Sequence, residues 1–196
     1  EPGQIKDFVA RMAKKEPLAG GLVPKYLEWR EKIKSKYGIA LPAGEGMKGC
    51  AAVLGQLCGV TNLLTWLHTN PEEIRALVEC WFDTSVRYLR GLREATGVKS
   101  GGLSLASDLT GLLSPQLYRG FFFEAEKTLF TLFAPGEKDR RYYHADYHMS
   151  HHFDSLRELG VNQVNIDPYI MAAQILESLP AVVVHGQVPP ATVLLH

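Results

Sequence analysis

The sequence predicts an α/β fold built on a parallel sheet, and three observations carry that prediction. Strand-like and helix-like segments alternate along the 196 residues, five strands in all. The connections are short, which in such an alternation means parallel strands joined by right-handed crossovers. Several strand-like segments end in polar residues just ahead of a helix: Asp108, the His144-Ala145-Asp146 stretch, Asp167, and His185-Gly186-Gln187. In parallel α/β barrels the strand C-termini carry the chemistry, so the reactive groups stand where such a fold needs them.

Each element has its own signal. Ile5, Phe8, Val9 and Met12 recur at helical spacing and predict a short amphipathic helix over 4–13. After Pro17 and Gly20-Gly21, a helix over 24–37 carries Tyr26, Leu27, Trp29 and Ile33, with lysines toward the end, where the dipole favours cations. Gly38 stops it. Ile39-Ala40-Leu41 reads as a short buried strand, and 42–49 as a glycine-rich loop. Asn70-Pro71-Glu72-Glu73 is the strongest helix start, with Asn70 as cap, Pro71 in the first turn and glutamates opposing the positive dipole end. Its apolar stripe is Ile74, Leu77, Val78, Trp81, Ser85, Tyr88, Leu89 and Leu92, and Gly97 ends it. Residues 101–107 read as a small-residue strand leading to Asp108. Ser114-Pro115 launches a helix to about Phe133, on which Phe121-Phe122-Phe123 serve the core. Residues 141–145 are strand-like, 150–159 helical and 161–166 a strand. Asp167-Pro168 starts a helix to about Leu179, and 181–185 is a last β-branched strand.

Composition sets the limits. Twenty-one basic and twenty-one acidic residues give a formal net charge of zero, which argues against nucleic acid or an anionic membrane as a partner held by bulk charge. No apolar run approaches the roughly 18 residues of a membrane span. Three cysteines, Cys50, Cys58 and Cys80, lack a C-x-x-C spacing, so a reducing cytoplasm is the expected compartment. They read as small apolar packing residues. The ends, Glu1-Pro2-Gly3 without an initiator Met and the apolar 191–196, read as points within a longer chain.

The run 144–152 holds four of the seven histidines. On a strand, His144 and Asp146 share a face because the side-chain period is two, so they could supply an imidazole and a carboxylate to one site or to a zinc ion. His148 and His152 are four apart and share a face if the helix has begun, whereas His151 and His152 read as exposed at a helix start. Asp108 is either a site carboxylate or a turn-capping aspartate. Gly111 would let a ligand approach the backbone. His185 is a site residue or a core histidine, and Gln187 follows it at the end of the last strand. Gly44-Glu45-Gly46-Met47-Lys48-Gly49 lacks the Lys-Ser/Thr of a phosphate loop, and neither a G-x-S-x-G elbow nor an H-E-x-x-H pair occurs.

In the stretches 70–74, Ser107-Asp108-Leu109-Thr110-Gly111-Leu112-Leu113-Ser114-Pro115-Gln116-Leu117-Tyr118, Tyr143-His144-Ala145-Asp146, 159–162 and His185-Gly186-Gln187-Val188-Pro189-Pro190, the chain resembles the uroporphyrinogen decarboxylase superfamily. The match runs from about Gly38 to the end. The resemblance implies a (β/α)₈ barrel of TIM type, incomplete here. A full barrel takes about 250 residues; this chain would supply a helical lead-in over 1–38 and five βα units over 39–196. It also implies one of two chemistries: cofactor-free decarboxylation of uroporphyrinogen, or movement of a methyl group between a corrinoid and a thiol or tetrahydrofolate, with zinc in the thiol-using branch.

Two departures weigh against the first: the decarboxylase tyrosine falls near Leu57, and its central serine falls near Asp108. In the second branch His144 matches the histidine of a His-x-Cys pair, with Asp146 in the place of cysteine; the further cysteine would lie beyond His196. The expected site is therefore Asp108, His144 and Asp146, with His144 and Asp146 toward a metal, and His148, His185, Gln187 and Gly111 toward substrate. The expected partner is a methylcorrinoid protein, or a tetrapyrrole for a decarboxylase. A homodimer or a complementing chain would close the open sheet edges, and a non-catalytic binding module is the remaining reading.

Overall fold

The protein is described by a computed structural model over residues 1–41, 46–98, 101–186, 188, 189 and 193. Five strands, β1 (Gly46–Lys48), β2 (Gly102–Ala106), β3 (Arg140–Ala145), β4 (Gln163–Ile166) and β5 (Val183–Val184), form one sheet in sequence order, every pair parallel. The helices are α1 (Ile5–Ala13), α2 (Val23–Tyr37), α3 (Cys50–Cys58), α4 (Val60–Thr69), α5 (Pro71–Thr96), α6 (Pro115–Phe121), α7 (Phe123–Phe133), α8 (Phe153–Glu158) and α9 (Ala172–Ser178). Helices alternate with parallel strands, as the sequence predicts. Among the described residues no single helix is long and apolar enough to cross a membrane.

The strand period divides the sheet into two faces. Leu103, Leu105, Tyr143, Ala145, Val164 and Ile166 are buried and join the core. Ser104, Tyr142, His144, Gln163 and Asn165 lie on the other face and are half-buried. The register aligns Ala106 with His144 and His144 with Asn165. Three neighbouring strands thus deliver one row of that polar face to the strand C-termini.

Several elements differ from expectation, each for a local reason. Residues 39–41 form no strand, and Ile39 is exposed; the buried Arg30 takes the Leu41 carbonyl (3.1 Å) and the Thr96 carbonyl (3.1 Å), tying that segment to α2 and α5. The first strand lies instead within the glycine-rich stretch. Gly49 there serves close approach, since a Cβ would fall 2.5 Å from Ser107 Cβ, while the Gly49 amide continues the ladder to Ala106 (2.8 Å). The expected loop residues 42–45 lie outside the described residues. Asn70 precedes α5 without a side-chain cap, whereas Ser114 does cap α6, accepting from the Leu117 amide (3.2 Å). The helix expected from Ser114 to Phe133 breaks at the buried Phe122. Asp167-Pro168 starts a turn and not a helix: Asp167 has φ 26°, and its amide extends the sheet to the Ala145 carbonyl (3.1 Å). Tyr88 is only half-buried on α5.

One buried polar network fastens these pieces. The Glu126 carboxyl on α7 is fully buried. Its Oε1 accepts from the Cys50 amide (3.1 Å), and its Oε2 from the hydroxyls of Tyr118 (2.7 Å) and Tyr143 (3.2 Å). Tyr143 also meets the Thr110 hydroxyl (3.0 Å), which lies 2.9 Å from the Ser107 hydroxyl. Burial pushes the Glu126 pKa up from 4.5 to about 7, although all three hydrogen bonds pull it down. Tyr118 packs edge-on against His152 at 5.1 Å. His152, expected at the surface, is fully buried: its Nε2 donates to the carbonyls of Thr110 (3.0 Å) and Leu113 (3.0 Å), and its Nδ1 has no partner among the described residues. Burial first, then the neighbouring His151, lowers its pKa to about 4.

These two shifts oppose one another in stability. Glu126 has a raised folded pKa, so its contribution is full below pH 4.5 and is lost as pH rises through about 7. His152 has a lowered one, so its contribution is full above pH 6.5 and is lost as pH falls through about 4. Between pH 4.5 and 6.5 the two slopes cancel. Glu126→Gln removes one of them, leaving a stability that climbs across those two pH units by about 2 kcal/mol, at roughly 1.4 kcal/mol per unit less the flattening near pH 4 and 6.5. Denaturant unfolding of both proteins at pH 4.5, 5.5 and 6.5 checks this; parallel profiles would refute it.

Candidate active site at the strand ends

Each functional side chain is placed by the end of a strand. His144 is the fifth residue of β3, on the half-buried face, and Asp146 follows two residues later on the same side. Asp108 opens the 3₁₀ turn Asp108–Leu112 after β2. The Ser107 amide donates to the His144 carbonyl (2.8 Å), and the Asp146 amide donates to Asp108 Oδ1 (3.1 Å). These two bonds lock the loop after β2 to the loop after β3. As a result His144 Nε2 stands 3.7 Å from Asp108 Oδ1 and 3.6 Å from Asp146 Oδ1. One ligand atom from each of the three residues falls within 4.8 Å of the others. The expected pair, His144 and Asp146, is brought together, and Asp108 joins it.

Asn165 completes the arrangement. Its Nδ2 donates to the His185 carbonyl (2.9 Å), which turns its Oδ1 toward His144 Nδ1 (2.8 Å). An amide oxygen only accepts, so Nδ1 carries a proton and Nε2 is the nitrogen turned to the two carboxylates. Gly186 makes room for this: its φ is +84°, and a Cβ there would fall 2.3 Å from Asn165 Nδ2. Sequence reading missed Asn165. Its signal was a polar residue between Val164 and Ile166 in a core strand, in phase with His144 once the register is known.

The remaining expected residues are placed differently. His185 enters through its carbonyl, while its exposed ring packs edge-on against Tyr142 at 5.6 Å. His148 does not share a face with His152; its Nδ1 meets Asp167 Oδ2 (2.8 Å) and its ring stacks over His151 at 6.1 Å. The space beside Gly111 is filled by the chain itself, since a Cβ would lie 2.5 Å from Tyr147 Cβ. Gln187 lies outside the described residues.

The tautomer is measurable. In ¹⁵N spectra of the imidazoles near pH 8, His144 is expected with its proton on Nδ1, and Asn165→Leu is expected to shift it toward Nε2. Gly186→Ala should do the same and destabilise the fold by about 1–3 kcal/mol. An unchanged His144 tautomer in both variants would contradict the assignment.

Comparison with known proteins agrees with this architecture. The sequence model described as "Uroporphyrinogen decarboxylase (URO-D)" matches residues 3–196. A methylated-thiol–coenzyme M methyltransferase of Methanosarcina mazei is 28% identical over 109 residues, 56% of this chain and 29% of the relative. A solved methyltransferase from Methanosarcina mazei superposes with a TM-score of 0.66 at 19% identity, over 85% of this chain and 49% of that one. The chain thus spans less than half the length of either relative, and the second likeness is one of fold. With the family match covering nearly every residue, the parallel sheet in place and the polar groups at its strand ends, the chain belongs to the uroporphyrinogen decarboxylase family.

Proposed function

We propose that this chain carries part of the active site of a methyltransferase that takes a methyl group from a methylcorrinoid protein and passes it to a thiol. The observation that carries the reading is the state of His144. Its Nδ1 proton is held by Asn165, and its Nε2 stands between two carboxylates, where a bound cation would meet it as a ligand. One imidazole nitrogen and two carboxylate oxygens form a donor set for a divalent cation, and both ligand types suit zinc. Their separations of 3.6 and 3.7 Å are close to the edge of roughly 3.3 Å of a tetrahedron with bonds of about 2.0–2.1 Å. His144, Asp108 and Asp146 would therefore hold zinc and leave a position for substrate. A zinc ion held there would lower the pKa of the acceptor thiol, so that thiolate is available at neutral pH.

The chain's own residues set the geometry. Asn165 orients the imidazole and fixes its tautomer, the role of an outer partner at a metal site. Asp108 holds the Asp146 amide, keeping both carboxylates on the side of Nε2. The thiol acceptor rests on the relative named for methylated thiols and coenzyme M; a corrinoid donor rests on the family resemblance. A folate acceptor has no such support. Uroporphyrinogen suits the site less well, because its carboxylates would meet Asp108 and Asp146 at close range.

The test uses the full-length protein with zinc, methylcobalamin and coenzyme M, following loss of the methyl–cobalt absorbance. His144→Ala and Asp108→Ala are expected to slow transfer by at least about a hundredfold and to abolish stoichiometric zinc binding, with native circular dichroism. Transfer at the wild-type rate in His144→Ala would overturn the reading. So would decarboxylation of uroporphyrinogen by a wild-type protein that transfers no methyl group.

A further inference from the structure

We propose that Ser150, His148 and Asp167 form a second reactive site on the same end of the sheet, in which the Ser150 hydroxyl is a nucleophile toward carboxylic esters. The cation site proposed on Asp108, His144 and Asp146 uses none of these residues, and the structure places His148, expected toward substrate, against Asp167 and Ser150.

The argument starts at Asp167, which follows β4 and is buried to 6% exposure. Its Oδ1 accepts from the Tyr169 amide (3.0 Å), and its Oδ2 lies 2.8 Å from His148 Nδ1. A carboxylate only accepts, so His148 carries a proton on Nδ1 and turns Nε2 away from Asp167, where the neutral imidazole would act as base. The Ser150 hydroxyl lies in hydrogen-bond contact with that Nε2, the contact through which a neutral imidazole would take its proton. Nucleophile, base and orienting acid therefore follow one another in the order that activates a serine. Recognition of such a site rests on geometry and roles, not on sequence order.

Asp167 and His148 are each held in place by something outside the trio. Asp167 sits at φ 26°, unusual for a residue with a side chain, and its amide is anchored to the Ala145 carbonyl (3.1 Å). Backbone strain of this kind persists only where the surroundings impose it, and it concentrates at functional sites. The missing side chain of Gly111 admits the main chain at His148, whose carbonyl oxygen would lie 3.1 Å from a Cβ at that position. His151 stacks on the His148 ring with planes 13° apart, while its Nε2 donates to the Leu113 carbonyl (3.1 Å). The reacting end stays open: Ser150 is exposed, and the His148 side chain is 63% exposed. Tyr147 and Tyr169, next to His148 and two residues beyond Asp167, are exposed as well and offer apolar surface to an acyl group.

In the reaction, Ser150 Oγ attacks the ester carbonyl carbon as its proton passes to His148 Nε2. The adduct collapses, the carbon–oxygen bond to the alcohol breaks, and the leaving alkoxide takes the proton from His148. Water then repeats the sequence on the acyl-serine, releasing the carboxylic acid and restoring Ser150. The sum is ester plus water giving acid plus alcohol.

A fluorophosphonate probe, which reacts with activated serines, tests this on the full chain, with the labelled peptide found by mass spectrometry. Ser150 is expected to be phosphonylated in the wild type, with no label on that peptide in Ser150→Ala. Asp167→Asn keeps an acceptor for the Tyr169 amide but loses the acid, and is expected to slow labelling by at least about tenfold. His148→Gln, at an exposed side chain, is expected to do the same with an unchanged melting temperature. An unlabelled Ser150 in the wild type, or wild-type labelling rates in both variants, would overturn the proposal and leave the trio as a loop staple. Methyl transfer is read separately, so failure here leaves the reading of His144 standing.

Discussion

The structure depends most on one buried carboxyl group. Glu126 receives hydrogen bonds from the first turn of α3, from Tyr118 on α6 and from Tyr143 on β3. Through Tyr143 and Thr110 it reaches Ser107, whose amide pins the loop after β2 to β3. Asp108 is the next residue. A carboxyl in so apolar a place costs several kcal/mol to ionise without partners, and its raised pKa shows that three donors do not fully offset that cost. Gly49 has no side chain because Glu126 and Ser107 occupy the space where one would go. The position of the site carboxylate is thus decided partly on the far side of the sheet.

From that anchor the two faces of the sheet divide the labour. The core face is apolar apart from Tyr143 and, at its N-terminal end, Arg141, and it brings the strands into one register. The other face carries Ser104, Tyr142, His144, Gln163 and Asn165, and its last row meets the loops at Asp108 and Asp146. Two histidines near the strand ends are oriented through the same logic. An acceptor-only oxygen, from Asn165 or from Asp167, accepts a hydrogen bond from Nδ1 and turns Nε2 outward. What lies opposite Nε2 then sets the chemistry: two carboxylates for His144, a serine hydroxyl for His148.

Much of this was legible in the sequence, and what was not has physical causes. The helix starts at Pro71 and Pro115, the αL glycines 38 and 97, and four of the strands follow from punctuation and periodicity. The pairing of His144 with Asp146 follows from the strand period alone. Partners across the sheet were not legible, because Asn165 joins His144 only through a register that tertiary packing sets. Asp108 stayed ambiguous for the same reason. Gly49 suggests a loop because close approach and loop formation leave the same residue in the sequence; only the Cβ distance to Ser107 separates the two. His152 suggested a surface residue because its helix begins one residue later, after a 3₁₀ turn that rotates it into the core. Nothing local marks Glu126 as buried, since its partners lie 8, 17 and 76 residues away.

The measurement that bears most directly on the account is anomalous diffraction at the zinc edge, from crystals of the full-length protein grown with one equivalent of zinc. The account predicts a single strong peak within about 2.0–2.2 Å of His144 Nε2 and of a carboxylate oxygen from both Asp108 and Asp146. An occupied zinc site elsewhere, with His144 Nε2 bonded only to solvent or to a carboxylate, would contradict it.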